Sequence, residues 1–238
     1  MHLWAELTRE RLGALLPEAL VVLPVGATEQ HGPHLPTGTD TLLAATVAER
    51  ACRAAARCER PLILAPAVAT GASDHHLTFG GTLSLRPETL LAVLLDLARS
   101  VAGCGGRRLV LVNGHGGNRG VCTDAASAAS VRFGLSTAYA NYWELIGGDD
   151  PLVPGHAGAF ETSAVLALRP ELVGERPERE APPLPEVPGV VVQPESFWRD
   201  VDGYTDEPSR ATAARGEKWL DAAVAGLAGR LEVLGRVL

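Results

Sequence analysis

Residues 28–40, TEQHGPHLPTGTD, place Glu29, His31, His34 and Asp40 close together in a stretch that fits neither helical nor strand periodicity. Carboxylates beside imidazoles form a mixed oxygen and nitrogen donor set. Such a set suits Zn²⁺, Mn²⁺ or Fe²⁺ better than Mg²⁺ or Ca²⁺, which prefer oxygen alone. Glu29 and His31 are two residues apart, so an extended chain points both side chains the same way. Pro33 and Pro36 stiffen the path that returns Asp40 toward them. A second stretch, NGHGGN at residues 113–118, holds His115 between Gly114 and Gly116, where the backbone can approach a site closely.

Each of these residues has a plainer reading. Asp40 precedes a helical pattern and could be its N-cap. His34 reads as a solvent-facing loop residue. GHGGNR follows a strand as a phosphate turn would, yet Arg119 takes the sixth position of G-x-G-x-x-G and no GK[ST] is present. The joint arrangement favours the metal reading. Two carboxylates clustered without a cation would repel, and one would have to take up a proton.

Alternating elements must position these residues. Residues 19–25, ALVVLPV, read as a buried strand running into the first loop, and RRLVLV reads as a strand running into NGHGGN. PLILAPAV at 61–68 and LSTAYANYW at 135–143 read as two further strands. Helices are expected from Thr41, from Pro87, over 120–133 and near 160–168, with a long one over about 209–236. Strands alternating with helices imply βαβ units and an α/β fold on a mostly parallel sheet. In such sheets the ligand crevice lies beyond the carboxyl ends of the strands, which brings Glu29, His31 and Asp40 near His115. Leu220, Val224, Leu227, Leu231 and Leu234 form one apolar stripe on the last helix, for packing on the sheet or for a subunit interface. Residues 175–195 are dense in proline and charge and read as an excursion from a single domain spanning 1–238.

The 238 residues are 46% hydrophobic and 21% charged, an ordinary globular balance. A net charge of −7 without a basic cluster argues against a nucleic-acid partner. No apolar run is long enough to span a bilayer, the N-terminus lacks a signal-like segment, and Cys52, Cys58, Cys104 and Cys122 form no CxxC pair. A cytoplasmic protein with reduced, mostly buried thiols, and no membrane partner, is the expectation.

PVGATEQHGPHLPTGTD, SDHHLTFGGTLSL, NGHGGN and HAGAFETS, in that order, resemble the creatininase family of metal-dependent amidohydrolases, and GYTDEPSRATAARGEKWL is a weaker echo of it. The resemblance implies a three-layer α/β/α domain and a homo-oligomer, often a hexamer. It also implies a dinuclear site in which Asp40 bridges, Glu29 and His115 hold one ion, and His31 holds the other. In creatininase itself an acidic residue stands two positions beyond the second-motif histidine, where this chain has Gly117. Glu161 moving in, a water, or a single ion would each answer that departure. His156 matches the family's proton-shuttling histidine. Glu161 is either a ligand or neighbour of the metal, or a first-turn glutamate favoured by the helix dipole. Creatininase proper carries a tryptophan at the position of Leu152, so creatinine is not the expected substrate. Trp143 and His76 are candidate substrate contacts, with Trp198 a further pocket candidate, and His75 with His76 fits a pocket rim or a subunit contact equally.

The expected function is therefore hydrolysis of a cyclic, formamide-type or short-peptide amide with one or two Zn, Mn or Fe ions, His156 moving the proton. The alternative is a metal-stabilised binding or scaffold protein without turnover.

Overall fold

The computed structural model describes residues 1–148, 150–179, 187, 190 and 192–238. Five strands form one sheet: β1 (His2–Leu3), β2 (Leu20–Val25), β3 (Leu62–Leu64), β4 (Arg108–Asn113) and β5 (Ser136–Asn141). Their spatial order is β1-β3-β2-β4-β5, and every pairing is parallel. The helices are α1 (Arg9–Leu15), α2 (Thr39–Ala54), α3 (Pro87–Gly103), α4 (Arg119–Phe133), α5 (Ala159–Leu168), the short α6 (Phe197–Asp200) and α7 (Ala213–Val237).

Alternation along β2 divides the core in two. Leu20 and Val22 face a layer built from α2, α5 and α7, while Val21, Leu23 and Val25 face α3 and α4, with Leu12 and Leu15 of α1 at its margin. All six residues of β2 are buried, as a strand covered on both faces must be. The expected three-layer α/β/α architecture is therefore present. On α7, Leu220, Leu227 and Leu231 are buried and Val224 and Leu234 pack beside them, so the stripe belongs to the core.

Some boundaries move. The third strand stops at Leu64 rather than running through 68. Pro66 interrupts it, although Ala65 and Val68 still donate to the carbonyls of Val22 and Pro24. The two-residue β1 and the seven-residue α1, about two turns long, carry too little periodicity to be read from sequence. The middle of the proline-rich excursion, residues 180–186, 188–189 and 191, lies outside the described residues. No disulfide forms; Cys52 and Cys122 are buried, Cys58 is half-buried and Cys104 is exposed. No described helix is long and apolar enough to cross a membrane.

Candidate metal centre

Loops at the carboxyl ends of β2 and β4 meet the first turns of α2 and α5. Asp40 lies in the first turn of α2, whose N-cap is Gly38 with no side-chain cap bond. The plainer N-cap reading of Asp40 therefore fails, because the helix starts two residues earlier than that role requires. Gly114 follows β4, where a Cβ would stand 2.7 Å from both the Asp40 carbonyl oxygen and Ala44 Cβ; only glycine lets the two loops close. Asn118 ties three loops together. Its Oδ1 accepts from Ala72 N at 2.9 Å, and its Nδ2 donates to Gly26 O at 3.0 Å.

Glu29, His31, Asp40, His115, His156 and Glu161 converge, all buried. His115 Nδ1 lies 3.1 Å from Glu29 Oε1 and 3.1 Å from Asp40 Oδ2. His31 Nε2 lies 3.1 Å from Asp40 Oδ1 and 3.6 Å from Glu161 Oε2. Four triads of donor atoms result among the described residues, Glu29–Asp40–His115, His31–Asp40–Glu161, Glu29–His31–His156 and Glu29–His75–His76, with Asp40 shared by the first two.

Each imidazole is oriented by its other nitrogen. His31 Nδ1 donates to the Glu29 carbonyl at 3.0 Å, and His115 Nε2 donates to the Ala72 carbonyl at 3.1 Å. His31 Nε2 and His115 Nδ1 then face the carboxylates, holding protons without a metal and offering lone pairs once a cation displaces them, the orientation that metal-binding histidines require. His156 Nε2 lies 3.1 Å from the Gln30 carbonyl, which leaves Nδ1 facing Glu29 Oε1 at 3.5 Å.

Gln30 is a second hub. Its Nε2 contacts Gly203 O at 2.6 Å, His76 Nδ1 at 2.8 Å and His156 Nε2 at 3.3 Å. The following segment clamps the His156 loop. Thr205 N donates to His156 O at 2.9 Å, His156 N donates to Thr205 Oγ1 at 2.7 Å, and Asp206 Oδ1 accepts from Ala159 N at 2.5 Å. Between them Ala157 takes a left-handed φ of 51°, and its N–H is held by Glu161 Oε2 at 2.6 Å.

The charges are arranged for a cation. Burial lowers the affinity of His31 for a proton, but Asp40, Glu161 and Glu29 overcome it and raise the pKa to about 10. His115 behaves alike: burial opposes its charge, and Glu29 with Asp40 raises it well above the ordinary range. Burial, aided by Asp40 and Glu29, raises Glu161 to about 8 although His31 opposes it. His156 is pushed well below the ordinary histidine range by burial and by neighbouring His31 and His76, so it is neutral at pH 7. Both oxygens of Glu29 and Oδ2 of Asp40 are buried with no hydrogen-bond partner among the described residues. Buried carboxylate oxygens left this way are costly unless a cation meets them, so the donor set fits a divalent transition metal.

Three readings change. His34 is buried rather than solvent-facing. Its Nε2 meets Thr162 Oγ1 at 2.9 Å, its ring stands edge-on to Tyr204, and burial lowers its pKa to about 4. His76 is fully buried beside His156, with ring centroids 4.4 Å apart, which places it deeper than a rim. Gly117 is not an empty place for an acid. A Cβ there would fall on the Ala72 carbonyl oxygen and stand 2.5 Å from His115 Nε2.

Leu152 packs in the core. Trp143 lines the cavity above the centre and has Arg119, paired with Glu144, over its ring at 5.6 Å. Trp198, Gln30 and Asn118 are the site residues that sequence reasoning underweighted. The only prior signal for Gln30 and Asn118 was their position inside the two loop motifs.

The sequence model of the Creatininase family, described as creatinine amidohydrolase, matches residues 5–231. The mycofactocin precursor peptide peptidase of Mycobacterium tuberculosis (strain CDC 1551 / Oshkosh) is 38% identical over 213 residues, covering 83% of this chain and 78% of its own. The creatinine amidohydrolase of Pseudomonas putida is 30% identical over 233 residues, covering 89% of this chain and 88% of its own. A solved structure of creatininase with Mn superposes with a TM-score of 0.80 at 28% identity, covering 96% of each chain.

Proposed function

We propose, from the premise that this chain belongs to the creatininase family and is an amidohydrolase, that it cleaves a peptide-derived or cyclic amide with two divalent ions held around Asp40. Glu29 and His115 would complete one ion's set, and His31 with Glu161 the other's. The observation that carries this reading is the sharing of Asp40 by two buried triads, with Glu161 supplying the acid that position 117 does not. Nitrogen and oxygen donors together favour Zn, Mn or Fe. The non-catalytic alternative is not favoured, because relatives at 38% and 30% identity are named for hydrolysis of amides.

When bound, a pair of ions supplies two effects: polarisation of the amide carbonyl and a lowered pKa for the attacking water. The chain does the rest. His156, held neutral with Nε2 on the Gln30 carbonyl, presents Nδ1 to the site. It accepts the proton of the attacking water and returns it to the departing nitrogen, a role worth about 10²–10⁴-fold in rate. The clamp of Thr205 and Asp206 fixes that imidazole and the first turn of α5 in one geometry. Burial keeps bulk water from competing.

Substrate class is supported by relatedness. The higher identity to the peptide peptidase, and the placing of Leu152 in the core, favour a short peptide over creatinine. His76 and Trp143 are proposed substrate contacts, a single domain over 1–238 is the proposed organisation, and a cytoplasmic homo-oligomer, a hexamer by family resemblance, is the proposed state. Metal analysis of the purified protein, before and after reconstitution with Zn²⁺, Mn²⁺ or Fe²⁺, tests the centre. A screen of formamides, cyclic ureides and short peptides tests the activity. Substoichiometric metal that reconstitution does not raise would sink the two-ion reading.

A further inference from the structure

The cavity over the centre has a volume of about 750 Å³ and is walled on one side by Trp143 and on another by Trp198. Trp198 belongs to α6, which follows the proline-rich excursion. Its indole is 4.4 Å from the His76 ring centroid, edge to face at 64°, 5.3 Å from His156 at 78°, and 5.3 Å from His75. Phe197 backs it at 5.0 Å. Two of those imidazoles are held by Gln30: His76 Nδ1 accepts from its side-chain amide and His156 Nε2 donates to its backbone carbonyl.

Trp143 and Trp219 are both largely covered, each at 6% exposure. Trp198 remains half-buried, and the uncovered part of the ring opens into the cavity. It therefore offers an apolar π-surface about one ring's width from His156, the group proposed to protonate the leaving nitrogen. A substituent on that nitrogen lies within reach of it.

We propose that Trp198 is a substrate-contact residue that selects amides carrying a flat apolar group, an aromatic ring foremost, next to the scissile bond. This rests on the reading of the centre as an amidohydrolase site. Ring-on-ring contact of this kind adds to simple burial and favours offset or edge-to-face geometry.

The test uses two N-substituted hydroxamates, N-phenylacetohydroxamate and N-methylacetohydroxamate, which differ only in phenyl against methyl on the nitrogen. Their affinities for Mn²⁺-loaded wild-type protein, Trp198→Ala and Trp198→Phe are measured by calorimetry, and metal content and melting temperature are recorded for each variant. Wild type should prefer the aromatic probe by about tenfold or more, and Trp198→Ala should reduce that preference by about tenfold. Trp198→Phe should restore most of it. An unchanged preference in Trp198→Ala, or equal loss of both probes, would overturn the proposal. Failure of wild-type protein to hold metal counts against the proposed function instead. Acetanilide and N-methylacetamide, which need no metal, then carry the same comparison in the metal-free protein, with the same outcomes deciding it.

Discussion

The two halves of the centre are built differently. In the Glu29–Asp40–His115 triad, Glu29 and His115 lie on the loops that follow β2 and β4, neighbouring strands in the sheet, and Asp40 lies in the first turn of α2. The His31–Asp40–Glu161 triad draws its last donor from α5, whose approach turn must hold Ala157 in a left-handed conformation. One half inherits its geometry from sheet register. The other depends on a clamp, Thr205 and Asp206, delivered from far along the chain. A side chain on a strand end is placed by many cooperative bonds, whereas a clamped loop is placed by a few, so the second half should be the easier to lose.

The largest test removes what the halves share. Asp40→Asn should empty both and lower kcat/KM by roughly a thousandfold or more, the several kcal/mol that metal activation supplies. Retention of one full equivalent of metal would show that the halves are independent. His156→Asn should leave metal content intact and reduce kcat by about 10²–10⁴-fold; parallel loss of metal would move His156 from proton carrier to ligand.

Separating the halves comes next. Glu161→Gln should release one equivalent of metal and Glu29→Gln the other, and Glu161→Gln should give up its ion at the lower chelator concentration. The reverse order in a chelator titration breaks the comparison. Gly117→Glu should not rescue Glu161→Gln. The added side chain meets the Ala72 carbonyl and His115, so a melting-temperature loss corresponding to about 1–3 kcal/mol is expected instead.

The smallest effect is in pH. In metal-free protein the raised pKa values of His31, from 6.5 to about 10, and of Glu161, from 4.5 to about 8, favour the folded state while those groups hold protons. That contribution is complete below the unfolded values and is lost as pH rises through about 8 and then about 10. Melting temperature without metal should therefore fall between pH 7 and 9. Metal must displace the His31 proton, and below about pH 8 the Glu161 proton as well, so affinity should rise by up to about tenfold per pH unit for each proton released. Calorimetry in buffers of different ionisation enthalpy checks the proton release.

Legibility followed the same division. Loop 28–40 and His115 were readable because residue type, spacing and the preceding strands coincide. The buried state of His34 was not, since its partner Thr162 arrives from α5. Trp198 was readable only as a candidate, because its neighbours His75, His76 and His156 come together through tertiary docking. Gln30 and Asn118 lie in legible motifs, but a neutral amide between ionisable residues gives no sign that it fastens several loops.

Asn118 has one more effect. Because one side chain bonds to both Ala72 N and Gly26 O, while its own segment carries His115, the loops after β2, β3 and β4 cannot open separately. Amide hydrogens in all three should exchange with solvent in a single cooperative step rather than fray one by one. Entry of a ligand would then be governed by the opposite wall of the cavity, leaving the floor to act as one rigid plate.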